Sequence, residues 1–213
     1  MKWLTLLFGV MLLTGCQTAY YSTMEKFGIE KRDILVDRVD DAKDSQGEAQ
    51  EEFRSALERL DAMLKIDGGE LEQQYNALSD DYESSKAAAE RVRERIAEVD
   101  DVAQDLFDEW SDELEQYSND SMRRQSERQL RETERRYADL IRSMERAASK
   151  MDPVLAKLQD NVLYLKHNLN ARAITAIRGE FDNLQVDIRD LIDEMELAIA
   201  ESDKFIEAMN SGG

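Results

Sequence analysis

A single cysteine, a single histidine and a single proline stand in 213 residues, and aromatic side chains make up only 7%. One cysteine rules out an intrachain disulfide framework, and one histidine rules out a multi-histidine metal site within one chain. One proline and few aromatics argue against the many short strands and turns of an all-β domain. Positive charge is scarce too: Lys+Arg 28 stand against Asp+Glu 47, a formal net charge of −19. So acidic a chain is repelled by phosphates, and nucleic acid is not an expected partner. Neither GxxxxGK[ST], GxSxG, CxxC nor HExxH occurs, so the motifs of a nucleotide cradle, a nucleophile elbow and a zinc hydrolase are missing. An ATPase label would rest on coiled-coil composition alone. The sole histidine, His167, has Tyr164 three residues before it, where a bundle di-iron site needs glutamate. No enzyme, cofactor or metal is expected.

Helix formers are abundant, and they are patterned. Apolar positions recur in alternating steps of four and three at Leu35, Val39, Ala42, Gln46, Ala49, Phe53, Ala56, Leu60 and Met63, with Gln46 the polar member. Asp67-Gly68-Gly69 reads as the stop, because glycine adopts the left-handed cap at little cost. A second stripe runs from Leu71 through Tyr82, Val92, Ile96, Leu106 and Trp110 to Tyr117, interrupted by Ser85 and Glu113. Trp110 and Tyr82 lie on it and read as core. Ser118-Asn119-Asp120-Ser121 is the next turn.

A third helix places Leu130, Thr133, Tyr137, Leu140, Met144, Ala147 and Met151 inward. Asp152-Pro153 reads as its boundary, since Asp caps and Pro suits a first helical position. The last helix then runs from Pro153 to about Met209. Its stripe steps eight positions from Leu169 to Ile177 rather than seven, a slip that predicts a kink or hinge within 168–179, near Gly179. The expected fold is all-α: one elongated antiparallel helical bundle, or coiled coil, of about four long helices over residues 34–209. Residues 16–33 form the tether and start of the first helix, and 210–213 a disordered tail.

The first residues have a separate logic. Met1-Lys2 precedes an apolar run, Trp3 to Leu13, too short for the roughly 20 residues that span a bilayer. A basic start and a short apolar run are the n- and h-regions of an export signal, here residues 1–15. Leu13-Thr14-Gly15-Cys16 resembles the bacterial lipobox. That resemblance implies lipidation of Cys16, removal of the leader, and anchoring by more than one acyl chain, which makes attachment durable. Gln17, in place of Asp, implies sorting to the outer membrane, with the mature chain on the periplasmic face.

Two polar clusters are candidate interaction patches. Residues 96–122 hold no Lys or Arg, and directly after them come Arg123, Arg124, Arg128, Arg131, Arg135 and Arg136. The simpler reading pairs these arginines with acidic residues of the preceding helix, Arg124 with Glu115, Arg131 with Asp108 and Arg135 with Asp105, to set register. The functional reading is a patch for lipid phosphates or an acidic partner. The second cluster, Lys166, His167, Asn168, Asn170 and Arg172, surrounds the phase slip. It reads as a polar layer inside the bundle, or as a recognition patch or protonation-sensitive hinge.

Several stretches carry a resemblance along nearly the whole mature chain: Glu30-Lys-Arg-Asp-Ile-Leu-Val-Asp-Arg-Val39, Asp67-Gly-Gly-Glu-Leu-Glu72, Leu106-Phe-Asp-Glu-Trp110, Arg128-Gln-Leu-Arg-Glu-Thr133 with Tyr137, and Leu165-Lys-His-Asn-Leu-Asn-Ala-Arg-Ala-Ile174. Together they resemble a bacterial lipoprotein family known only as a domain of unknown function. The resemblance implies a lipoprotein and adds no catalytic residue. The expected role is a non-enzymatic envelope scaffold, spacer or adaptor held by the Cys16 lipid. The alternative is a periplasmic module for lipid or hydrophobic cargo, opening along its apolar seam. Expected partners are the membrane and an unidentified envelope protein or lipid, with self-association into a homo-oligomer also open.

Overall fold

The computed structural model describes residues 31–65, 71–168 and 170–211. The leader, Cys16, most of the tether, the Asp67-Gly68-Gly69 turn, Leu169 and the terminal Gly212-Gly213 lie outside the described residues. Four helices follow in order: α1 (Lys31–Leu64), α2 (Leu71–Leu114), α3 (Asp120–His167) and α4 (Ala171–Ser211). Among the described residues there is no strand. The longest, α3, has 48 residues and a length of about 72 Å.

Each helix packs against two others: α1 on α2, α2 on α3, α3 on α4, and α4 back on α1. Ion pairs give the directions. Along α1, Lys31, Arg38, Glu48 and Arg59 meet Glu109, Glu98, Arg91 and Asp81 of α2, so one helix rises as the other descends. Lys150–Glu194 and Lys157–Asp187 do the same for α3 and α4, and Lys43–Asp203 together with the Gln50–Glu196 hydrogen bond for α1 and α4. The result is an up-down-up-down four-helix bundle, the topology that short connections favour. The start of α1, the α2–α3 turn and the end of α4 share one tip. The ends of α1 and α3 and the starts of α2 and α4 share the other.

The predicted stripes are the core. Leu35, Val39, Phe53, Leu60 and Met63 of α1, Leu78 and Val99 of α2, Leu140, Met144, Met151 and Leu158 of α3, and Leu184, Ile188, Leu191 and Met195 of α4 are all fully or nearly fully buried. Burying a side chain of this size contributes about 1.5–3 kcal/mol, so the seam dominates the stability of every helix. Leu106 and Tyr75 are only partly buried and pack on its edge.

The predicted boundary at Asp152-Pro153 is wrong. Pro153 lies inside α3, which continues to His167. A proline in a helix interior costs roughly 3 kcal/mol, because it lacks the N–H and crowds the carbonyl four residues back. Here that carbonyl belongs to exposed Ser149, which water can reach. On the inner side Met151, Val154 and Leu158 are buried, and the stripe passes the proline without losing phase. Burial outweighs the local signal. The helix ends instead at the phase slip, where Asn168 caps α3 and a turn intervenes before Ala171. Gly179 is an ordinary interior position of α4 with open space where a Cβ would be. Asn210 and Ser211, expected in the tail, are helical.

Candidate interaction surfaces

The turn joining α2 to α3 is built by Asn119. Its Oδ1 accepts from the Ser121 and Met122 backbone N–H groups, at 2.9 and 3.2 Å, satisfying donors that an open helix start leaves orphaned. Two side-chain bonds fix how α3 then runs beside α2. The Trp110 indole donates to Ser126 Oγ at 2.8 Å, and the Tyr137 hydroxyl donates to Asp100. The Tyr137 ring also meets Phe107 edge-on at 5.5 Å between centroids. Burial, and then the hydrogen bond to the Asp100 carboxylate, pushes the Tyr137 pKa well above the ordinary phenol value.

These contacts replace the register predicted from charge. None of the pairs Arg124–Glu115, Arg131–Asp108 and Arg135–Asp105 forms. Arg131 instead pairs with Glu127 at 2.5 Å, one turn back on its own helix, Arg136 with Glu132, and Arg123 with Asp120. Among the described residues Arg124, Arg128 and Arg135 have no ion-pair partner. The reason is azimuth. The core face of α3 is set by Leu130, Leu140 and Met144, and Arg124, Arg128, Arg131 and Arg135 fall nearly opposite it. All four are exposed. Arg142 and Arg146 extend the stripe, giving steps of 4, 3, 4, 7 and 4 residues along about 33 Å. Asp139, paired with Arg142, stands beside this line, and Arg146 reaches Glu194 of α4 at 3.7 Å.

The second cluster sits at the opposite tip. Lys166, His167, Asn170 and Arg172 are exposed and Asn168 is half-buried, so the predicted internal polar layer does not exist there. The asparagines instead make the turn. Asn168 Nδ2 donates to the Tyr164 carbonyl at 3.0 Å, and Asn170 Oδ1 accepts from the Arg172 and Ala173 N–H groups. Asn170 is thus the N-cap of α4. Arg178 ties this end to α1 through a 2.6 Å bond to the Leu64 carbonyl. Lys166, His167 and Arg172 remain as a basic outer collar.

The polar positions within the core are others. Gln46, Ser85 and Ser202 are 0% exposed. The two serines donate to carbonyls one turn back, Ser85 to Asp81 and Ser202 to Ala198. Neither end of the Gln46 amide has a protein partner. The sequence marked Gln46 and Ser85 as breaks in their stripes, but not what would become of them.

Sequence reasoning missed a groove of about 610 Å³ between α3 and α4, near the collar. Tyr164, Ile177, Leu184 and Val186 give it apolar surface, and Asn161, Asn183 and the Lys157–Asp187 pair line its rim. Tyr164 and Val186 are unusually exposed for their type. Their signal in the sequence was faint: two apolar residues off the main stripe.

Among the described residues no group of His, Cys, Asp or Glu is arranged to hold a metal ion. Nor, among them, is any helix long and apolar enough to cross a membrane. Comparison with curated proteins finds no match. Residues 20–209, nearly the whole bundle and its approach, match the family described as "Protein of unknown function (DUF2959)", and the chain belongs to that family.

Proposed function

We propose that this protein is a non-enzymatic envelope lipoprotein, held by acyl chains on Cys16 at the periplasmic face of the outer membrane, where it serves as a rigid spacer or adaptor. One observation carries the reading: a lipobox-like Leu13-Thr14-Gly15-Cys16 stands 15 residues before a rod whose first helix begins at one tip. An anchor at that end turns length into reach. With α3 about 72 Å long, the collar of Lys166, His167 and Arg172 would stand far from the lipid surface, free to meet an envelope component. The packed core supports a rod that keeps its shape, as a spacer must.

The test uses the full chain expressed in a bacterial host with labelled palmitate. Incorporation into the wild type, with loss of label and of membrane sedimentation in Cys16→Ser, is the expected result. Label-free wild-type protein, or unchanged sedimentation of Cys16→Ser, would overturn the anchor. Photo-crosslinkers at Lys166 and Arg172 should then capture a discrete envelope protein, whereas crosslinks to neither protein nor cell-wall material would remove the adaptor role.

The groove between α3 and α4 favours a second reading, a binding module for lipid or other hydrophobic cargo. Native mass spectrometry of the full chain decides it. Bound lipid that is lost in Val186→Glu would support cargo binding, and the absence of any adduct would leave the spacer.

A further inference from the structure

α2 carries a ridge that mirrors the arginine line of α3. Its core face is set by Val92, Ile96, Val99 and Ala103, and opposite that face lie Glu90, Glu94, Asp108 and Asp112. All four are exposed, and Asp105 stands half-exposed beside them. Among the described residues none of Glu90, Glu94, Asp108 and Asp112 has an ion-pair partner. The spacings correspond. From the turn outward the acidic ridge steps from Asp112 to Asp108 and Asp105, and the basic ridge from Arg124 to Arg128 and Arg131, continuing to Arg135. Arg142 and Arg146 beyond them pair with Asp139 and Glu194. The Trp110–Ser126 bond levels the two helices on this same mirror. Near the turn Arg124 therefore stands at about the height of Asp112 and Arg128 at about that of Asp108. Farther out the Arg93–Asp152 pair joins positions several residues off this mirror, so the outer members of the two ridges are not held level. Yet the two ridges point outward from neighbouring helices, and within one molecule they do not meet.

We propose that the α2–α3 face is a self-association surface, occupied by a second copy of this chain related by a twofold axis parallel to the bundle. Such an axis exchanges left for right and preserves height. It lays the arginine ridge of each copy over the acidic ridge of the other, with Arg124 opposite Asp112, Arg128 opposite Asp108 and Arg131 opposite Asp105 of the second copy. A twofold axis across the rod, within the interface, sets like charge on like and is rejected by the same charges. The parallel arrangement also brings both α1 starting tips to one end, so both copies approach a single membrane from the same side. The flank of α2 toward α3 carries Ala97, Gln104 and Ser111, uncharged side chains that leave room for Glu127 and Glu134 of the facing copy.

An interface made of exposed ion pairs is weak and salt-sensitive. The experiment is sedimentation and native mass spectrometry of the full chain in detergent, at low and high ionic strength. Two charge-reversed variants accompany the wild type, R124E/R128E/R131E/R135E and D105K/D108K/D112K/E115K, with helix content checked for each. The wild type is expected to form a closed dimer at low salt, weakening at least about tenfold by 0.3 M salt. Each variant alone is expected to be monomeric, and an equimolar mixture to form a heterodimer. A wild type that stays monomeric at tens of micromolar and low salt overturns the proposal. So does a dimer retained in either variant, a folded pair of variants that fails to associate on mixing, or an open series of oligomers. A monomeric wild type that binds vesicles of anionic lipid through the arginine ridge would assign that face to the membrane instead.

Discussion

The Tyr137 hydroxyl on α3 donates its proton to the Asp100 carboxylate on α2, from a half-buried position that also holds its ring against Phe107. The bond joins groups 37 residues apart and, with Trp110–Ser126, fixes the height of one helix against the next.

This bond gives stability a defined alkaline limit. The folded-state pKa of Tyr137 is raised above its ordinary value of 10.0, so the folded protein keeps this proton where the unfolded chain has lost it. The contribution is complete below about pH 10 and declines as pH rises above it. Urea unfolding of Tyr137→Phe should show a loss of about 1.5–3 kcal/mol at pH 8, the net value of a hydrogen bond to a charged acceptor. The gap between wild type and variant should then narrow between pH 10 and 11.5, and a constant gap would contradict this assignment.

Gln46 is fully buried, and its amide meets no protein donor or acceptor. An unsatisfied buried amide costs roughly 1–3 kcal/mol. Replacing Gln46 with Leu or Met should therefore raise the urea midpoint by an amount equal to about 1–2 kcal/mol. The buried Ala42, Ala49 and Ala198 lie at the same level, fixed by the flanking contacts Lys43–Asp203 and Gln50–Glu196. If both variants lose stability, the amide is satisfied in solution.

Pro153 leaves the Ser149 carbonyl without its helical donor. Pro153→Ala should restore that bond and raise stability by about 1–3 kcal/mol, read as a higher thermal midpoint with unchanged helix content. A lower midpoint would mean that the proline stiffens the unfolded chain more than it strains the helix.

Asn170 caps α4 with two accepted N–H bonds. Asn170→Ala should cost about 1 kcal/mol, while Asn170→Ser or Asp should retain most of the stability. Hydrogen exchange should speed up in the first turn of α4 and not elsewhere, and uniform acceleration would argue against a local capping role.

Much of this fold was legible in one dimension. Helix content and the inward faces of Leu35 to Met63 and of Leu71 to Ala103 follow from the apolar period, because only one face of each helix can be removed from water, and the turn at Asn119 follows from its polar run. The candidate surfaces were less legible. Charge order alone pairs Arg124, Arg131 and Arg135 with α2 because they follow an acidic run, but proximity after a hairpin says nothing about azimuth. The core stripe turns these side chains outward, and no carboxylate of α2 reaches them.

By itself the sequence determined the class of the molecule and the seam along which its helices meet, since the repeat of large apolar side chains is a property of the chain alone. Tertiary structure decided where α3 ends, because burial of Met151, Val154 and Leu158 against neighbouring helices outweighs the break that Pro153 signals locally. It also decided that Gln46 is sealed in the core while the arginine line stays in solvent. Both outcomes depend on which helix lies beside which and at what height, and those are relations among distant segments.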